Sequence, residues 1–150
     1  MIDKSVFIQQ IREGRAAFDL ALEALPAERW EQPIAPGGMT PKEIAYHLAW
    51  HERQMVDVLR ARALVGSPWW ELPLDERNAH IQAEAASLPV EVVMEYVSEA
   101  IVELLEALEA LPAEALSDPS AFANIPPDWI PGELIAQNTF EHYRDHLPIA

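Results

Sequence analysis

The sequence contains no cysteine. That absence removes disulfides, thiolate metal ligands and cysteine nucleophiles at once. Basic residues are also scarce: 10 lysines and arginines stand against 25 aspartates and glutamates, a net charge of -15. A chain this acidic repels phosphate backbones and anionic lipid, and it offers no basic run for nucleic acid. No apolar run approaches the roughly 20 residues that a membrane-spanning helix requires. The start, Met1-Ile2-Asp3-Lys4, lacks the charged-then-apolar layout of a signal peptide. These absences lead to the expectation of a cytoplasmic protein that binds neither nucleic acid nor a membrane.

What is present is helical periodicity. Half of the 150 residues are apolar, enough for one domain, 1–150, with a real core. From Lys4 to Leu25, Phe7, Ile8, Ile11, Phe18, Leu22 and Leu25 recur mostly at three- and four-residue spacings, and Pro26 ends the run. A loop holding Pro33, Pro36, Gly37 and Gly38 follows. Thr40-Pro41-Lys42-Glu43 then has the form of a capping box with proline in the first turn, opening a helix expected to reach about Leu64. Asp75 is placed to cap a shorter helix to about Ala86, and Ser87 to Leu111 carries a third long apolar stripe. A proline-rich connection, Pro112 to Pro131, leads to a last helix expected to run unbroken to His146 or Leu147. No alternating strand pattern is evident. The expected fold is all-α: a four-helix bundle with a short extra helix and a long connection before the last helix.

Four of the five histidines fall into two pairs at four-residue spacing, His47 with His51 and His142 with His146. Residues four apart share a helix face, with Cβ atoms about 6 Å apart, so two imidazoles can hold one metal ion. At about 100° per residue, His51 falls near the centre of the second helix's apolar stripe and His47 at its edge. His142 and His146 lie in line with Ile135 and Thr139, beside the apolar arc of the last helix. Both pairs therefore face the bundle, where uncompensated imidazoles are costly to bury. Neutral imidazole suits several transition metals, and proton competition is expected below the ordinary histidine pKa of about 6.5. His80 has no partner at helical spacing and is expected on the surface.

Two stretches carry a family resemblance. Thr40-Pro41-Lys42-Glu43-Ile44-Ala45-Tyr46-His47-Leu48 resembles the second-helix motif of the DinB-like superfamily of four-helix proteins. Asn138-Thr139-Phe140-Glu141-His142-Tyr143-Arg144-Asp145-His146 resembles its last-helix motif. The stretch from Pro126 to His146, with Trp129, is similar to the branch that contains colibactin self-resistance proteins (ClbS/DfsB-like). The resemblance implies a divalent transition metal, zinc or nickel, on His47, His142 and His146. It leaves His51 as a fourth ligand, a supporting residue or a core residue. Known members include metal-dependent thiol transferases, a maleylpyruvate isomerase type and proteins that protect against reactive metabolites.

Two functions follow as expectations. One is a metal-dependent transferase or hydrolase acting on small reactive metabolites, in detoxification or self-protection. The other is a non-catalytic bundle that binds or sequesters a small molecule without metal. Glu52 and Glu141 neighbour the histidines in sequence but lie on other helix faces, so no general base stands out; Asn138, one turn before His142, is placed to orient a ligand or substrate. Trp50, Trp69, Trp70 and Trp129 most simply close the bundle ends, the alternative being that they wall a pocket. A homodimer through a helix face is the assembly expected of such a bundle.

Overall fold

The computed structural model describes residues 1–149. Its helices are α1 (Lys4–Glu23), α2 (Pro41–Ala61), α3 (Leu74–Ala86), α4 (Val90–Ala110), α5 (Pro131–Gln137) and α6 (Phe140–Asp145). Local chemistry sets most of the ends. The Asp3 side chain accepts from the Val6 amide at 3.0 Å and caps α1. At α2 the expected capping box is complete: Glu43 N donates to Thr40 Oγ1 and Thr40 N to Glu43 Oε1, both at 3.1 Å. Arg62 adopts a left-handed conformation (φ 51°) and stops that helix three residues before Leu64.

α2 is the central element. Every residue from Pro41 to Glu52 is buried, which happens when a helix is covered on all sides rather than along one stripe. α4 and α3 pack against it, and α1 packs against α6. Gly14 permits that last approach: a Cβ there would lie 3.2 Å from Tyr143 Cδ2 and 3.3 Å from Phe140 Cβ. The connection after α4 is not slack. It buries Ala115, Leu116, Phe122 and Ile125, and a parallel bridge ties it to the end of α2 through Leu64 N to Ala123 O and Ala123 N to Arg62 O, both 2.8 Å. Apart from that bridge there is no strand among the described residues.

The architecture is the expected all-helical bundle, with α3 as the extra helix; Pro73, not Asp75, stands at its cap. The last helix departs from expectation. It is not continuous from Pro131 to His146 but breaks at Asn138 and Thr139, where Thr139 has φ −129° and ψ −109°. Both side chains turn back on the preceding turn, Asn138 Nδ2 to Leu134 O at 2.8 Å and Thr139 Oγ1 to Ile135 O at 2.7 Å. Such side-chain bonds compete with the helical ladder. Asn138 is therefore occupied in ending α5 and does not orient a ligand by its amide nitrogen.

Candidate metal centre

The break in the last helix carries α6 to α2 with its histidines on the inner side. His142 lies within α6 and His146 just past its end, as the C-cap. His47 and His51 occupy consecutive turns in the buried half of α2. Ring centroids of His47 lie 4.9 Å from His142 and 5.0 Å from His146, and His142 lies 4.8 Å from His146. One ligating nitrogen from each of His47, His142 and His146 falls within 4.8 Å of the other two. The three histidines that the sequence motifs single out thus converge from two helices.

The closest pair is informative. His47 Nε2 and His142 Nε2 face each other at 3.1 Å. Two nitrogens bound at about 2.0–2.1 Å to one ion, at angles between octahedral and tetrahedral, lie about 2.9–3.3 Å apart. The observed separation fits. His142 Nδ1 is buried without a hydrogen-bond partner among the described residues, an arrangement that folded proteins seldom leave uncompensated. The donor set is all imidazole, which suits zinc, nickel, copper or iron.

The electrostatics keep these rings neutral. Burial, reinforced by repulsion among the neighbouring rings, lowers His47 to about 3 and His142 to about 2. Burial also lowers His51 to about 4 and His146 below its ordinary value. Arg77 on α3 adds a positive field that further lowers His47 and His51. Neutral imidazoles are the form that ligates metal.

His51 is placed beside the triad. Its ring lies 4.6 Å from His47 and 4.4 Å from His142, yet its Nδ1 is 2.9 Å from the His47 carbonyl oxygen. An N–H there donates to that carbonyl, which leaves Nε2 unprotonated in the neutral ring. Trp50 and Trp70 pack around it, with ring centroids at 4.9 and 5.7 Å. His80 is exposed, as expected, and stacks on Trp69 at 5.2 Å.

Sequence reasoning missed a second polar cluster. Glu52 points away from the histidines, as its position implies, but into the core, where its exposure is 0 %. Arg15 Nη1 donates to both its oxygens at 3.0 and 2.9 Å, and the Tyr143 hydroxyl donates to Oε2 at 2.5 Å. Arg15 also reaches the Val97 carbonyl at 2.7 Å and Asp19 at 3.1 Å. Burial raises Glu52 to about 7, opposed by the Arg15 guanidinium and the Tyr143 hydroxyl. A signal was available: Arg15 sits in the spacing Ile8, Ile11, Arg15, Phe18, Leu22, a core position of α1.

A cavity of about 640 Å³ lies alongside, lined in part by Met55, Val58, Trp70, Trp129 and Leu134. Trp70 and Trp129 therefore wall a pocket rather than simply closing the bundle ends. No histidine lines it; Trp70, which meets His51 edge-on, is the shared wall.

No helix among the described residues is long and apolar enough to cross a membrane. None of the curated proteins matches the chain. A solved protein from Streptococcus pneumoniae is similar over 97% of this chain and 86% of its own, with a TM-score of 0.76 and 19% identity, which speaks for the fold alone. The sequence model of the DinB superfamily matches residues 10–150. With that match across nearly the whole chain, the protein belongs to the DinB superfamily.

Proposed function

We propose that His47, His142 and His146 hold one divalent transition ion, zinc or nickel, and that the protein uses it on small reactive metabolites as a transferase or hydrolase. The observation that carries this reading is the 3.1 Å approach of two imidazole nitrogens, one on buried His47 and one on half-buried His142, with a third close by. Held by His47, His142 and His146, an ion would supply Lewis-acid chemistry, polarising an electrophile or activating water or a thiol. The chain's own contributions are a neutral ligand set and an aromatic wall, Trp50 and Trp70, packed around His51. The similarity of Pro126 to His146 to the self-resistance branch favours a protective role in the cytoplasm. A homodimer through a helix face belongs to the same proposal.

Zinc and nickel calorimetry on metal-stripped, untagged protein at pH 7.5 tests the site. One ion per chain is expected, lost in His142→Ala and kept in His80→Ala. Because the rings are depressed well below 6.5, affinity should persist to markedly lower pH than ordinary histidines allow. Equal binding by wild type and His142→Ala would sink the assignment.

The second reading, sequestration without turnover, is favoured by one feature: the cavity has no histidine in its lining. Turnover of an electrophile with a low-molecular-weight thiol separates the two. Product that accumulates beyond one equivalent supports the enzyme, and stoichiometric retention supports the binder.

A further inference from the structure

The cavity beside the histidines has a chemistry of its own. Its volume, about 640 Å³, lies in the range of small-molecule pockets. Its walls are held in place before any ligand arrives. Buried Gln54 accepts from Ser67 N at 2.8 Å and from the Trp70 indole at 3.1 Å, fixing the loop and the ring together. Gly66 lets them meet: a Cβ there would fall 2.6 Å from Trp70 Cδ1. The bridge between Ala63 and Ala123 ties the same loop to the connection that leads to Trp129. A pocket pinned in this way does not have to be ordered by its ligand.

The lining is apolar at depth and acidic where it is charged at all. Trp129 and Val65, 44% and 43% exposed, present apolar surface to solvent. Glu71 is the charged residue of the cavity, and the adjoining depression, which shares Trp129 and Leu134, adds Asp128 and Glu133. No lysine or arginine lines either one. The nearby Arg77 lies over the Trp70 ring at 4.5 Å and is not part of the lining. The net charge of -15 extends the same sign over the rest of the molecule. Apolar walls select an apolar body; unpaired carboxylates and an exposed indole beside it select a positive charge attached to that body.

We propose that this cavity binds small amphiphilic cations, molecules with an aromatic or alkyl body that carry a protonated or quaternary amine. The body packs against Met55, Val58 and Leu134, and the cationic group lies toward Glu71 and Trp129. Binding rests on the cavity alone and does not depend on the metal reading, so the two can fail separately.

The test uses the full chain, stripped of metal, and three probes of one shape: 1-naphthylmethyl-trimethylammonium, the neutral 1-methylnaphthalene and 1-naphthylmethanesulfonate. Binding is read by quenching of tryptophan fluorescence and by calorimetry. The cation should bind at least tenfold tighter than the sulfonate and severalfold tighter than the neutral probe. Glu71→Gln, an exposed substitution, should weaken the cation severalfold and leave the neutral probe unchanged. Val65→Trp, at the exposed mouth, should weaken all three, and Val58→Trp, which fills the interior, should abolish binding if it folds. A sulfonate that binds as tightly as the cation, or a cation indifferent to both Glu71→Gln and Val65→Trp, would overturn the proposal. Added zinc should leave the cation's affinity within twofold; if it does not, the cavity is not independent and the proposal fails in that form.

Discussion

α2 carries two buried polar clusters on different faces, and they are built on opposite principles. His51 and Glu52 are chain neighbours, as are His142 and Tyr143, yet each neighbour serves a different cluster. Around Glu52 each carboxylate oxygen accepts from a fixed donor, and Arg15 also turns Nε to Asp19 and Nη2 to the Val97 carbonyl. Around His47 two ring nitrogens face each other and His142 Nδ1 has no partner. A closed network binds elements together; an open one offers lone pairs to something that the chain does not supply. α2 and α6 are thus clamped on one side and carry unpaired ring nitrogens on the other.

The largest break in this comparison should come from opening the closed cluster. Arg15→Leu leaves Glu52 buried without its counter-ion, and removing one partner of a buried pair costs about 3–5 kcal/mol. Urea denaturation should show a loss of that size, partly recovered in the double variant Arg15→Leu/Glu52→Leu. A loss below about 1 kcal/mol would mean that the network does not hold the fold.

Tyr143→Phe is a milder cut. It deletes one hydrogen bond to a charged group, about 1.5–3 kcal/mol, while Arg15 keeps both carboxylate oxygens paired. Because Tyr143 adjoins His142, metal affinity should fall together with stability in this variant. Unchanged affinity would show that the clamp does not position α6.

Acid distinguishes the clusters by sign. Histidines whose folded pKa is depressed bind fewer protons folded than unfolded, so their contribution is fully present above about 6.5 and is lost as pH falls below it. His47, His51 and His142 each cost about 1.4 kcal/mol per pH unit below about pH 6, until the folded value is reached. Glu52, raised to about 7, contributes the opposite sign: stability present below its unfolded value and lost as pH rises through about 7. It is common to wild type and to His142→Ala, so their difference isolates the imidazole. Between pH 6 and pH 4 the wild type should lose stability faster by about one proton's slope, and parallel profiles would refute the depressed pKa.

The smallest expected effect is the most telling. At pH 7.5 without metal, His142→Ala should change stability by less than about 1 kcal/mol, because it removes a partly exposed ring with an unpaired nitrogen. The same substitution should erase metal binding. A large loss of stability in the metal-free protein would make the histidines a structural cluster like the other.

Periodicity and capping fixed the helices that stand alone. The box at Thr40 and Glu43 and the apolar stripes of α1 and α4 needed no tertiary information, because their determinants lie within a few residues along the chain. That both histidine pairs face the bundle was legible from spacing, and which three of them converge was implied by the family motif. The break in the last helix was not, since Asn and Thr are tolerated in helices and only packing decides whether their side chains turn back on Leu134 and Ile135. Arg15 at a core position and Glu52 within a wholly buried stretch of α2 each left a trace in the pattern, but their pairing did not.

By itself the sequence determined the all-helical class and the two histidine pairs that face the bundle, because helical period and local caps are properties of short segments; which three histidines meet came from the family motif. The tertiary structure decided what those segments do to one another. It placed Glu52 in the core rather than in water, left His51 beside the triad with its Nδ1 on a backbone carbonyl, and gathered Met55, Trp70 and Trp129 around a cavity. Those outcomes depend on contacts between residues such as Arg15 and Glu52, 37 positions apart, or Glu52 and Tyr143, 91 apart. Such distances lie beyond the reach of any local pattern, and the contacts form only when packing brings the helices together.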